Sequence, residues 1–334
     1  MKLLFIGGTG NISAACTRLA VARGMDVYVL NRGNRELPSG VKSIVADYAS
    51  EAEVAAAVAG HYFDAVANFI AFTPEEVARD VRVFSGKTDQ YLFISSASAY
   101  QKPPLHPVIT ESTPLKNPFW QYSRDKIACE DYLNLAYRDH DFPITIVRPS
   151  LTYDTVIPVA LGSWDDYTIV ERMKQGKEVV VQGDGSSLWT ITHADDFAKG
   201  FVGLMGHQQA IGHAFHITSD ELLTWNQIYE AVGHAVGVKP NIVHVPSAVI
   251  AKVAHQIGQG WLEGNFWGDK SHSVVFDNTK IKTFVPDFKA TIPFKQGIHR
   301  TIRWFEEKPE RMVIKPEWND WIDAILKTWH RLNG

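Results

Sequence analysis

Tyr122 and Lys126 stand four residues apart at the start of a segment, Tyr122–Tyr137, whose pattern predicts a helix. At that spacing two side chains share one helical face. A free phenol has a pKa near 10 and is a poor acid or base at neutral pH. An ammonium alongside favours the phenolate and lowers that value. So paired, Tyr122 can take a proton from an alcohol or return one to a ketone. The chemistry that fits is hydride transfer to or from a nicotinamide ring while the phenol moves the proton. Ser96 falls just past a predicted strand, in the run FISSASAY. Ligands of an open α/β sheet sit at the carboxyl ends of its strands, and a hydroxyl there can polarise the substrate oxygen. Ser95 and Ser98 read as turn-capping hydroxyls; Ser98 is also a candidate substrate contact.

A second constellation points to the partner in that reaction. Phe5 to Ser13 read FIGGTGNIS, with Gly7 and Gly10 directly after a strand and before a helix, and Thr9, Asn11 and Ile12 between and beyond them. Such a turn lets the backbone approach a pyrophosphate, and the helix N-terminus offers free N–H groups and a positive dipole end. The third position of the usual fingerprint is Ser13, small enough to keep the helix close to the sheet. The second strand ends VLNRG. NAD sites usually place a carboxylate here for the ribose hydroxyls; this chain has Asn31 and Arg32, with Arg35 nearby. A guanidinium with no acid beside it can pair with a 2′-phosphate. NADP is therefore the expected cofactor and NAD the alternative, in which Arg32 stacks on the adenine or faces solvent.

The elements needed to hold these residues are legible around them. Strands are expected at Lys2–Gly7, Asp26–Leu30, Lys42–Val45, Phe63–Ile70, Gln90–Ser95 and Pro143–Arg148. Helices are expected at Asn11–Arg23, Glu51–Val58, Glu75–Phe84 and Tyr122–Tyr137. Apolar β-branched runs alternating with helices indicate a parallel sheet buried on both faces, a doubly wound α/β fold. After Pro149 the pattern loosens, although Val179–Val181 and Phe215–Ile217 still read as strands. The expected organisation is a dinucleotide-binding domain over 1–155, with returning segments near 186–219. A smaller mixed substrate-binding region then spans 156–185 and 220–334.

Composition narrows the function classes. The chain has 334 residues, 45% of them hydrophobic, and a formal charge of −4 with no run of like charge. A large core is expected, and no nucleic-acid or membrane footprint. No stretch approaches the ~18 apolar residues of a membrane span, and the N-terminal apolar run is too short for a signal peptide; a soluble cytoplasmic protein is expected. The two cysteines, Cys16 and Cys129, imply no disulfide framework. Thirteen histidines lie without ligand spacing, so no metal site is expected. His193 reads as a structural hydrogen-bonding residue. Of the ten tryptophans, Trp164, Trp189, Trp261 and Trp267 fall in loop-like parts of the substrate half, where they could line a pocket. Trp318, Trp321 and Trp329 recur at helical spacing and read as packing residues.

FIGGTGNIS, ADY at 46–48, DAVANFIA at 64–71, SSASAY at 95–100, YSRDK at 122–126, VRPS at 147–150 and GDGSSLWTITHADD at 183–196 occur in this order. FDNTK at 276–280 and TIRWF at 301–305 follow. Together they resemble the extended short-chain dehydrogenase/reductase superfamily, the NAD-dependent epimerase/dehydratase group, over nearly all of residues 1–306. The resemblance implies Tyr122 as acid/base, Lys126 as its tuner and a ribose ligand, and Ser96 as donor to the substrate oxygen. It implies Asp47 at the adenine amino group with Tyr48 beside it. It places Phe69, Ile70 and Ala71 along the cofactor, and Pro149 and Ser150 near the nicotinamide carboxamide. It further suggests a homodimer through a helix bundle that includes the Tyr-Lys helix, with Cys129 near the interface.

The departures bear on substrate. Nucleotide-sugar members carry an Asn after the Arg-Pro-x step and an Arg before the His-x-Asp-Asp motif; here Leu151 and Trp189 stand there. An indole in place of a guanidinium removes charge that a diphosphate needs to offset its desolvation. The 4,6-dehydratases carry an Asp-Glu pair where this chain has Ala97-Ser98. The expectation is an NAD(P)-dependent oxidoreductase acting on a secondary alcohol or carbonyl of a small molecule. One alternative is a sugar epimerase with retained cofactor. Another is a non-catalytic dinucleotide sensor or RNA-associated protein, although sensors often lose the Tyr-Lys pair and RNA binders show a basic face.

Overall fold

The computed structural model describes residues 1–34 and 36–333. Seven strands form the central sheet: β1 (Lys2–Ile6), β2 (Asp26–Asn31), β3 (Lys42–Val45), β4 (Ala65–Asn68), β5 (Tyr91–Ile94), β6 (Ile144–Pro149) and β7 (Ala214–Ile217). All pair in parallel, in the order β7-β6-β5-β4-β1-β2-β3. The chain winds outward from β1 to β3, crosses back to β4 and winds the other way. That reversal leaves a crevice beyond the carboxyl ends of β1 and β4. This is the doubly wound α/β fold.

Helices on both faces explain why every residue of β4, β5 and β6 is buried. Helices α1 (Ser13–Ala22) and α5 (Ala194–Leu204) cover one face, with Cys16, Ala20, Phe197 and Phe201 in its core. Helices α2 (Glu51–Ala57), α3 (Pro74–Phe84) and α4 (Gln121–His140) cover the other, with Val54, Val77, Phe84 and Leu133 inside. Cys129 belongs to that second core and is fully buried, so it is not a surface residue of α4.

The strand expected over Phe63–Ile70 is shorter, because Asn68 pulls the chain out of the sheet. Its side-chain oxygen accepts from Ile70 N at 2.8 Å and Ala71 N at 3.0 Å. The turn then feeds α3, where Glu76 accepts from Thr73 N at 2.9 Å and Pro74 occupies the first turn without wasting a donor.

A third core lies beyond the sheet and includes Tyr153, Trp189, Trp225, Tyr229, Phe294 and Phe305. Parallel pairs Glu178–Gln182 with Asn241–Val245 and Leu151–Tyr153 with Ile191–His193 support it. The helix Pro316–Asn333 buries Ile322, Ile325 and Leu326, with Trp318, Trp321 and Trp329 half-buried on its flanks. His193 accepts from Asp195 N at 3.1 Å and so caps α5. Among the described residues, no helix is long and apolar enough to cross a membrane, and no group of three or more His, Cys, Asp or Glu could hold a metal ion.

Candidate active site

The crevice at the end of β1 is shaped by glycine. Gly7 has φ +81°, and a Cβ on it would stand 2.5 Å from Ile70 Cγ2. Gly8, which carries no weight in the motif reading, is needed for packing: its Cβ would meet Val29 at 2.7 Å. Ser13 closes the turn, donating to Gly7 O at 2.6 Å and accepting from Gly10 N at 2.8 Å. Helix α1 begins there; its N-cap residue, Ile12, makes no side-chain cap and Ala14 N donates to Gly10 O at 2.9 Å, so the other first-turn N–H groups are available to an anion. Asn11 is a brace: its amide donates to Thr152 O at 2.9 Å and accepts from Asp154 N at 2.9 Å.

Two cavities meet at this turn, both touching Gly7, Gly10 and Ile70. The smaller, about 410 Å³, is lined by Thr9, Asn31, Arg32, Asp47 and Tyr48. Asn31, one of its lining residues, has an amide nitrogen that is buried and without a partner among the described residues. That orphaned donor fits a ribose hydroxyl, and the glycine cradle fits a pyrophosphate. Arg35 lies outside the described residues.

The larger cavity, about 490 Å³, brings the candidate catalytic residues together. Asn11, Ile12, Phe69, Ile70, Ser96, Ser98, Tyr122, Lys126, Pro149, Ser150, Leu151 and Trp189 all line it. Ala71 lines neither cavity; it is buried, and its carbonyl accepts from Lys126 Nζ at 2.6 Å. Ile94 O accepts the same ammonium at 2.8 Å, and Nζ stands 5.9 Å from the centre of the Tyr122 ring. Ser96 caps the short turn Ala97–Ala99 through Ser98 N at 3.1 Å. Its hydroxyl is 2.8 Å from that of Ser98, which accepts from Ser123 at 2.8 Å.

The electrostatics differ from those read from spacing alone. Burial pushes the Tyr122 phenol up to about 12, with hydrogen bonding to Ser96 pulling the other way. Burial also lowers the Lys126 amine to about 8. Lys126, its Nζ 5.9 Å from the ring centre, is not among the groups that shift the phenol, so the lowering expected from the pairing is absent.

Two supports were invisible in the motifs. Glu130, one turn beyond Lys126, is fully buried and accepts from Arg148 Nη2 at 2.5 Å and Nε at 2.9 Å. It also accepts from Ser95, which anchors the strand end carrying Ser96. Asn117 donates to Ser98 O at 2.8 Å and to Gly268 O at 2.7 Å, tying the turn after Ser96 to a distant helix. Of the tryptophans considered, Trp164 and Trp189 line the cavity while Trp261 and Trp267 do not; Trp120 does.

A family model described as "NAD dependent epimerase/dehydratase family" matches residues 3–218. The chain belongs to that family. As a member of the NAD dependent epimerase/dehydratase family it is an enzyme of the extended short-chain dehydrogenase/reductase type, with a nicotinamide dinucleotide as cofactor. It is 28% identical over 249 residues to the 2'-dehydrokanamycin reductase of Streptomyces kanamyceticus, covering 74% of this chain and 70% of that one. It is 25% identical over 259 residues to the chloroplast stem-loop binding protein of 41 kDa b of Arabidopsis thaliana, covering 73% and 65%. The chain thus spans about two thirds of these relatives' lengths. The fold is also that of dTDP-glucose 4,6-dehydratase from Bacillus anthracis str. Ames, solved with NAD: TM-score 0.72, 16% identity, 93% and 98% of the two chains.

Proposed function

We propose that this enzyme is an NAD(P)-dependent oxidoreductase acting at a secondary alcohol or carbonyl carbon of a small molecule, with Tyr122 as the acid/base. The observation that carries the reading is one cavity that contains Ser96, Tyr122 and Lys126 and opens onto the glycine turn. The cofactor supplies or accepts the hydride. Ser96 hydrogen-bonds to the substrate oxygen and polarises it. Tyr122, whose phenol carries its proton at neutral pH, is placed to give that proton to the oxygen. The reductive direction is in line with the reductase name of the Streptomyces relative. Lys126 binds a ribose hydroxyl, oriented by the Ala71 and Ile94 carbonyls.

Arg32 in the adenosine-side cavity, with no acid at the end of β2, supports NADP over NAD. The low charge of −4 speaks against a nucleic-acid partner, and assembly as a homodimer through the α3–α4 face follows by analogy of fold. Tyr122→Phe is expected to abolish carbonyl reduction while cofactor affinity stays within about twofold; retained turnover overturns the mechanism. Arg32→Ala is expected to weaken NADPH at least tenfold, about 1.4 kcal/mol, and leave NADH unchanged. Stoichiometric NAD released from freshly purified protein favours the epimerase cycle instead.

A further inference from the structure

Two lysines that no motif singles out face the larger cavity. Lys102, in the segment after the catalytic strand, and Lys270, more than 150 positions later in the chain, both line it, and each is only 3% exposed. Among the described residues the Lys102 ammonium makes no hydrogen bond or ion pair. Lys270 has one distant partner, Asp269 Oδ2 at 3.5 Å, and otherwise lies over the rings of Trp164 at 5.5 Å and Trp120 at 5.8 Å. Trp120 in turn packs on Tyr122, ring centres 4.9 Å apart. The Lys270 amine therefore sits one indole away from the acid/base, and Lys102 shares with it the neighbouring carboxylate of Asp269.

The placement of Lys270 is built. It ends a π-helical turn, Phe266–Lys270, that continues the helix Trp261–Asn265; such turns are rare and concentrate at functional sites. Gly264 and Gly268 let this helix come close to the segment before α4. A Cβ on Gly268 would stand 2.8 Å from Trp120 Cβ, and one on Gly264 would stand 2.8 Å from Phe119 O. Asn117 fastens the contact through Gly268 O.

Two ammonium groups against the single carboxylate of Asp269, itself mostly buried, leave this end of the cavity one positive charge in excess. Buried charge is costly unless paired, and burial already pushes both amines down. A ligand anion supplies the missing partner. Leu151, Trp189, Val274 and Phe276 among the remaining walls give an apolar and aromatic surface that suits a ring or hydrocarbon body.

We propose that Lys102 and Lys270 hold an anionic group of the substrate, so that the enzyme acts on a hydroxy or oxo compound with a carboxylate or phosphate ester on an apolar or aromatic body. This rests on reading the larger cavity as the substrate site. The excess of one positive charge favours a monoanionic carboxylate over a phosphate dianion.

The test is binding to the cofactor-loaded enzyme, read by the fluorescence of the cavity tryptophans, with benzoate, phenyl phosphate and neutral benzamide as probes. Saturable binding of benzoate or phenyl phosphate at least tenfold tighter than benzamide is expected, and the order of the two anions separates carboxylate from phosphate. Lys102→Met and Lys270→Met should each weaken the anion about tenfold or more and leave benzamide unchanged. Both variants should fold, since methionine fills a similar volume without a charge to desolvate. Equal affinity for benzoate and benzamide, unaltered anion affinity in both variants, or no saturable anion binding overturns the proposal. Tyr122→Phe should bind the anions like the parent. Failure of the redox mechanism and failure of the anion site are therefore separate results.

Discussion

Removal of Glu130 alone should be far worse than removal of Glu130 together with its partner. Its carboxylate is fully buried, the Arg148 side chain is 6% exposed, and the two bond at 2.5 Å. At an effective dielectric near 20 their gross attraction is roughly 7 kcal/mol, and desolvation of two ions cancels most of it. Glu130→Leu keeps the cost of burying the guanidinium and discards the compensation. Among the described residues the guanidinium then keeps the Tyr100 phenol and a long contact to Glu111 O, 3.4 Å. The expected loss is about 3–5 kcal/mol, which for a chain of this size lowers Tm by on the order of 10 °C. Glu130→Leu with Arg148→Met replaces the pair by apolar groups and should recover most of that loss. Urea and thermal unfolding of the parent, the two single variants and the double complete the cycle. A single variant that loses less than about 1 kcal/mol, or a double variant as unstable as the summed singles, refutes the reasoning. Ser95 loses its acceptor too, so turnover in Glu130→Leu should fall more than cofactor affinity as Ser96 shifts.

Gly7→Ala should cost about 1–2 kcal/mol for the left-handed backbone alone, with further loss because its methyl collides with Ile70; isothermal titration should show cofactor affinity falling with stability. Asp80 is completely buried beneath Tyr48, Tyr91 and Asn68, and burial raises its carboxyl to about 6. The folded state then binds more protons than the unfolded state between about pH 4 and 6, so this group's stabilisation is present at the acidic side and lost as pH rises through 6, by up to about 3 kcal/mol. Asp80→Asn should flatten that slope in unfolding titrations from pH 4 to 7; an unchanged slope removes Asp80 as its source.

What the sequence displays well is chemistry carried by neighbours in the chain. The glycine turn and the Tyr-x-x-x-Lys pair are local, and alternation of strands with helices marks the sheet around them. What it hides is set by distance and burial. Asn117 meets Gly268 across 151 positions and Asn11 meets Thr152 across 141, and no spacing rule links such pairs. The rise in the Tyr122 pKa comes from the walls that close over it, which the i, i+4 pattern does not contain. Ala71 lies within the right motif, but it acts through its carbonyl, which any residue would provide. Lys102 and Lys270 sit among ordinary surface-type residues, and only the cavity shows that they face inward.

The π-helical turn can also be described in terms of register. It is equivalent to one extra residue in an α-helix, and each residue advances a helix by about 100°. Every side chain after it is rotated by that amount relative to an uninterrupted helix from Trp261. A chain one residue shorter between Asn265 and Lys270 would make a more regular helix and turn its lysine away from Trp120. Insertion or loss of a single residue at this point is thus a one-step means of changing what the cavity can hold, with the sheet, the glycine turn and Tyr122 left as they are.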